Sequence, residues 1–253
     1  MAEPPALGYL LAAMRARTQA RIAIGRIGHA LPTGAMLDFA SAHARARDAV
    51  HSPLETEGFS TAIGGRAVIE VASRATDRAT YLQRPDLGRR LGEGTSIEKG
   101  RSDVAFVVAD GLSATAIHAH AAGLLNALFA RLDGWAIAPI IVARHARVAL
   151  GDEIGALLGA RMVVVLIGER PGLSAPDSLG AYLTWEPRIG RVDSERNCVS
   201  NIRPPHGLGY DEAAETIVRL MTLARRRGGS GVALKDDGTE PPGIGGEAPA
   251  AGP

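Results

Sequence analysis

Cysteine occurs once in 253 residues, at Cys198. One thiol excludes an internal disulfide and any metal site built on several thiolates, and it fits a reducing compartment. Lysine is almost absent, with only Lys99 and Lys235 among 28 basic residues. Alanine is abundant as well, so base-composition bias of the genome is the first reading and arginine-dependent recognition the second. No apolar run reaches the ~18–20 residues that span a bilayer. No basic segment followed by an apolar stretch opens the chain, so secretion is not expected. The formal net charge is +1, and no strong field draws in nucleic acid or an anionic membrane.

Familiar cofactor fingerprints are missing too. No G-x-G-x-x-G follows a strand, which disfavours the usual dinucleotide site. No G-x-x-x-x-G-K-[ST] exists, which disfavours a nucleoside triphosphatase. No H-E-x-x-H and no paired Cys/His spacing points to zinc.

What is present is an ordinary globular composition, 46% hydrophobic and 22% charged, in a chain long enough for one large or two smaller domains. Residues 8–29 read as a helix rich in Ala and Arg. A second helix starts near Pro32, with Thr33 as N-cap and Met36, Leu37, Ala40 and Ala44 along one stripe. "RAVIEVAS" is compatible with a strand or a helix. "YLQRPDLGRRL" is a turn whose charges either pair with one another or meet a partner chain; self-pairing is favoured.

From residue 102 the pattern alternates. "DVAFVVADG", "APIIVARH", "RMVVVLIGERPG" and "LGAYLTWEPR" read as strands. Between and after them lie a helix capped by Ser113 and bounded by Gly134, a short helix begun by Asp152, and a closing helix with Ile217, Leu220, Met221 and Leu223 inward. The expected class is α/β: an N-terminal helical segment, then a Rossmann-like, mostly parallel sheet with flanking helices. The expected division is a helical region over 1–95, an α/β domain over 96–228, and a Gly/Pro-rich tail over 229–253, disordered at least from 237.

In such sheets, ligands lie beyond the carboxyl ends of the strands. Three loops qualify: Asp110 to Ser113, Arg144 to Val148, and Gly168 to Gly172. Ser113 is a poor acyl-transfer nucleophile, because Thr115 stands where the elbow needs glycine. His118 and His120 are two apart on a helix and cannot easily chelate one metal. Glu169 follows an apolar strand and either pairs with Arg170 or accepts hydrogen bonds from a ligand. Cys198 remains open as nucleophile, ligand, packed side chain or binding wall.

Six stretches, in order over residues 14–227, resemble the small (light) subunit of adenosylcobalamin-dependent ethanolamine ammonia-lyase. They are "RARTQARIAIGRIGHALPT", "FASAHARARDAV", "YLQRPDLGRRL", "VADGLSATAI", "VVLIGERPGLSAPDSLGAYLTWEPR" and "ERNCVSNIRPPHGLGYDEAA". The resemblance implies a large-subunit partner, a TIM barrel that holds ethanolamine and the radical chemistry. It implies adenosylcobalamin between the two chains, and conversion of ethanolamine to acetaldehyde and ammonia. It carries three cofactor contacts onto this sequence, at Val148, Glu169 and Cys198, and no catalytic residue. It implies that the N-terminal region touches the large subunit and that the assembly is a trimer of paired heterodimers.

There is no D-x-H-x-x-G segment, so the cofactor is expected base-on. The expected location is the cytoplasm, with a bacterial microcompartment as the alternative. The match begins almost at the start of the chain, which speaks against the longer encapsulation segment of some members. Without the resemblance, a stand-alone α/β enzyme using Asp110, Ser113 and Glu169 on a small metabolite comes first. A scaffold without ligand is the third reading.

Overall fold

The computed structural model describes residues 5–234. The tail expected to be disordered from 237 lies outside the described residues. The chain runs α1 (Pro5–Arg15), α2 (Thr33–His51), α3 (Phe59–Ala62), β1 (Val68–Ala72), α4 (Arg78–Gln83), β2 (Ser102–Ala109), α5 (Ala114–Ala116) and α6 (Ala122–Phe129). It continues through β3 (Ile140–Arg144), α7 (Leu150–Leu158), β4 (Ala160–Gly168), β5 (Leu179–Trp185), β6 (Arg196–Ile202) and α8 (Tyr210–Arg227).

The six strands form one sheet in the order β1-β3-β2-β4-β5-β6. The first four in that order pair in parallel, and β5 and β6 are antiparallel additions. The expected α/β class with a mostly parallel sheet is therefore present. The central strands are apolar throughout because helices cover both faces. One face packs Phe106, Val108, Val164 and Leu166 against Leu124, Leu128, Ile217 and Met221 from α6 and α8. The other packs Val107, Ile141, Val163 and Val165 against Leu150 and Ile154 of α7. Each such fully buried side chain contributes about 1.5–3 kcal/mol.

Close packing explains two glycines of α7. A Cβ on Gly151 would sit 2.3 Å from the Val165 side chain, and one on Gly155 would sit 2.6 Å from Pro187. These glycines let the helix lie directly on the sheet.

Several expectations need correction. The helix read over 8–29 ends at Arg15. The Thr18 hydroxyl accepts the Ala20 N–H at 3.0 Å, a local bond that competes with helical continuation. Ala23 and Gly25 then adopt positive φ, where a helix cannot run. Thr33 is the first residue of α2, not its cap, and Pro32 precedes it without a side-chain cap bond. α7 begins at Leu150, two residues before Asp152. The ambiguous "RAVIEVAS" holds β1, an edge strand parallel to β3.

The segment around Cys198 was not read as a strand, yet it is β6. Its buried positions fall at Arg196, Val199 and Ile202, a spacing of three. The pairing with β5 is irregular near Leu179 and Ala181, and Asn201 has a φ of 57°. A bulge of this kind hides the period of two that marks a strand.

Two local expectations, a helix cap and a self-paired turn, hold. Ser113 caps its helix, accepting the Ala116 N–H at 3.2 Å. Arg84 pairs with Asp86 through two bonds of 3.0 and 2.7 Å, the self-paired turn. No helix among the described residues is long and apolar enough to cross a membrane. Among the described residues, no group of three or more His, Cys, Asp or Glu could hold a metal ion.

Candidate functional site

The carboxyl ends of β2, β3 and β4 lead into the three loops singled out above. Asp110 ties two of them together. Its carboxylate accepts the His145 N–H at 2.9 Å and the Ala146 N–H at 3.0 Å. Arg78 donates to it at 3.3 Å and to the Gly111 carbonyl at 2.8 Å. Burial pushes the Asp110 carboxyl up, opposed by the two N–H groups and Arg78. This constellation holds His145 at a φ of 53° and sets the direction of the Arg147–Val148 turn. Asp110 is a positioning residue for that turn.

Ser113 has no base beside it. It is fully buried, and its hydroxyl donates to the Pro176 carbonyl at 2.7 Å. The set Asp110, Ser113 and Glu169 therefore does not assemble into a nucleophile and its base. The histidines are also engaged in the framework. His118 Nε2 accepts the Glu55 N–H at 2.9 Å. His120 is buried, 2.9 Å from the Tyr210 hydroxyl and 3.4 Å from Asp177.

Glu169 leaves β4 and turns back across the antiparallel extension. Its Oε2 accepts from the Ser178 hydroxyl at 2.5 Å and from the Asn201 N–H at 3.3 Å. The ion pair with Arg170 is not formed. Oε1 lies over Gly180, where an added Cβ would come within 2.9 Å of it. Among the described residues, no hydrogen bond reaches Oε1. One acceptor of the carboxylate is thus fixed to the protein and the other is available.

Val148, Glu169 and Tyr182 line one open hollow of about 430 Å³, with Leu112, Arg147 and Ile167. Cys198 lies directly across from Tyr182 in the β5–β6 register. The phenol is placed to hydrogen-bond the sulfur, and the Glu169 charge acts on both groups. Burial is the main cause that pushes the Cys198 thiol up, and it pushes the Tyr182 phenol up as well. Both stay protonated at neutral pH. A thiolate nucleophile needs the opposite shift.

Val148, Glu169 and Cys198 thus converge from three distant segments on one ledge, centred on Tyr182. The ledge lies beyond the part of the sheet that α7 covers over β2 and β4, where Tyr182 is half-buried and Cys198 exposed. Tyr182 was missed. The strand "LGAYLTW" offered the only available signal, an aromatic on the face opposite Leu179, Ala181 and Leu183.

Beneath the ledge, Arg196 and Asp152 form a buried two-pronged ion pair that was also missed. Nη1 and Nη2 reach Oδ1 and Oδ2 at 2.7 Å each, and the side chains are 3% and 2% exposed. Arg196 also donates to the Thr184 hydroxyl at 2.8 Å and the Arg191 carbonyl at 3.0 Å. The pair fastens the edge strand β6 to α7.

A family model described as ethanolamine ammonia-lyase light chain (EutC) matches residues 10–235. A protein of Rhodococcus erythropolis named ethanolamine ammonia-lyase small subunit is 49% identical over 227 residues, covering 88% of each chain. A protein of Ralstonia nicotianae with the same name is 52% identical over 236 residues, 88% of this chain and 87% of the relative. Another of that name from Bradyrhizobium diazoefficiens is 53% identical over 237 residues, 90% of each chain.

Proposed function

The chain belongs to the ethanolamine ammonia-lyase light-chain family, and from that premise we propose that its ledge forms one wall of an adenosylcobalamin site. The other wall is the large subunit. One observation carries this reading: Val148 and Glu169, 21 residues apart in the chain, line one hollow with Tyr182, and Cys198 lies directly across the β5–β6 pair from Tyr182.

The residues present fit such a group. A corrin is broad and flat, with amide arms on its rim. Val148 and the Tyr182 ring offer apolar surface. Glu169 Oε1 offers an acceptor for an amide N–H. Cys198 offers a small neutral thiol rather than a thiolate that would ligate a metal or quench a radical. The hollow is open and holds only part of a ligand that size, whereas ligand sites usually bury most of their ligand. A second chain is needed to close it.

When bound, adenosylcobalamin supplies the radical that starts conversion of ethanolamine to acetaldehyde and ammonia. This chain's residues orient the cofactor's edge and exclude water there. The substrate site belongs to the large subunit. Binding with the cofactor's own base on cobalt is supported by the lack of a D-x-H-x-x-G segment and by His120, both of whose ring nitrogens already have partners within the fold.

The N-terminal region carries exposed Tyr9, Leu10, Met14, Ile27, Leu37 and Phe39, which supports a contact with the large subunit. The proposed assembly is the family's trimer of paired heterodimers. The proposed location is the cytoplasm, free or inside a bacterial microcompartment, and a single unpaired thiol accords with it.

Reconstitution tests the reading. Acetaldehyde formation is followed for each chain alone and for the mixture, with adenosylcobalamin and ethanolamine. Turnover is expected only from the mixture. Robust turnover by this chain alone would restore the stand-alone enzyme.

A further inference from the structure

A second hollow of about 350 Å³ adjoins the first and shares Arg147, Val148 and Tyr182 with it. Its other lining residues include Arg89, Arg191, Arg196 and Asp193. The charges are not equivalent. Arg196 is committed to Asp152 and lies 3.6 Å from Asp193. Arg191 is committed to Glu195, with Glu186 at 3.9 Å. Arg147 has no ion pair and no side-chain hydrogen bond among the described residues. Its guanidinium stacks 4.5 Å over Tyr81, and its Nε is buried without a partner. Arg89 is exposed and likewise has no ion pair among the described residues.

The backbone adds to the same field. Arg147, Val148 and Ala149 lead straight into α7, whose N-terminus carries partial positive charge. The acidic residues of its first turn, Asp152 and Glu153, face Arg196 and Arg90 instead. Asp193, highly exposed, is the one carboxylate lining the hollow. What remains is a cation without an ion pair among the described residues, stacked on an aromatic ring at the junction of the two hollows, with Glu169 lining the first. The two terminal nitrogens of Arg147 are not buried and have no acceptor among the described residues, so a ligand can supply one.

We infer that Arg147, assisted by Arg89, is the subsite for a phosphodiester, that of the nucleotide tail of base-on cobalamin. The inference rests on the cofactor reading above. Arg147 sits beside Val148, so a ligand laid against Val148 and Glu169 would bring its tail within this field. A guanidinium presents a fork of donors that matches a phosphate better than a point charge does. Free inorganic phosphate shares the chemistry, and the test separates the two sources.

The test uses the two-subunit complex and two probes, cobalamin and cobinamide, the latter lacking the nucleotide tail and its phosphate. Dissociation constants are measured by absorbance titration for wild type, Arg147→Gln, Arg147→Lys and Glu169→Ala, each checked for an unchanged melting temperature. Arg147→Gln is expected to weaken cobalamin by about tenfold or more and leave cobinamide within about twofold. Arg147→Lys should recover part of that loss. Inorganic phosphate should compete with cobalamin and not with cobinamide.

Equal loss for both probes, or no loss for either, overturns the inference. Equal wild-type affinities for the two probes overturn it as well, and with phosphate bound would reveal a free-phosphate site. Glu169→Ala separates this from the underlying reading. If it weakens both probes while Arg147→Gln weakens neither, only the phosphate subsite falls. If it weakens neither, the cofactor wall falls too.

Discussion

Cys198 faces Tyr182 across the last antiparallel pair of the sheet, sulfur beside phenol, with the Glu169 carboxylate acting on both. The lone thiol of the chain is therefore part of a surface rather than a reactive centre. Burial raises its pKa, so at any given pH it holds less thiolate than a free cysteine.

Two outcomes follow for Cys198. Cys198→Ala should keep most of the complex's turnover at saturating cofactor. Alkylation of the thiol should be slow at neutral pH and accelerate only at a pH above that of a free cysteine. Near-complete loss of turnover, or fast alkylation at neutral pH, would return the residue to the nucleophile class.

Asp152 holds Arg196 from inside the molecule, and the ledge depends on that pair. Removing one partner of a buried pair leaves an uncompensated charge and costs about 3–5 kcal/mol. Asp152→Ala should lower stability in urea by that order. A loss under about 1 kcal/mol, the range of an exposed pair, would mean that β6 is held by other contacts.

Gly180 makes room for Glu169. An alanine Cβ would press on Oε1 at 2.9 Å and on Cγ at 3.2 Å, the flexible end of a side chain rather than backbone. Gly180→Ala should fold, with a melting temperature close to wild type. Its affinity for adenosylcobalamin should nevertheless fall toward that of Glu169→Ala, because the carboxylate is displaced. Unchanged affinity would show that the Glu169 position is not set by this contact.

The sequence made the parallel centre of the sheet legible, since β2, β3 and β4 are short apolar runs ending in loops. It also made the three loops legible, because topology alone puts ligands at those ends. Val148 and Glu169 lie in two of them. The ledge itself was hidden. β6 lost its period of two at the bulge near Asn201, so the segment around Cys198 gave no strand signal. Asp152 read as a helix start because acidic residues favour first turns, yet its carboxylate points to Arg196, 44 residues later. Tyr182 looked like one more strand aromatic until β6 was laid beside it. Long-range pairings of this kind leave no local signature. The resemblance supplied Cys198 where periodicity could not.

The most direct measurement is the dissociation constant of adenosylcobalamin for the two-subunit complex, wild type against Glu169→Ala. Glu169 Oε1 is the acceptor the fold leaves open, and losing a hydrogen bond to a charged group costs about 1.5–3 kcal/mol. The account predicts a constant raised about tenfold or more with the subunits still associated. A constant unchanged within error, in a complex that assembles normally, would contradict it.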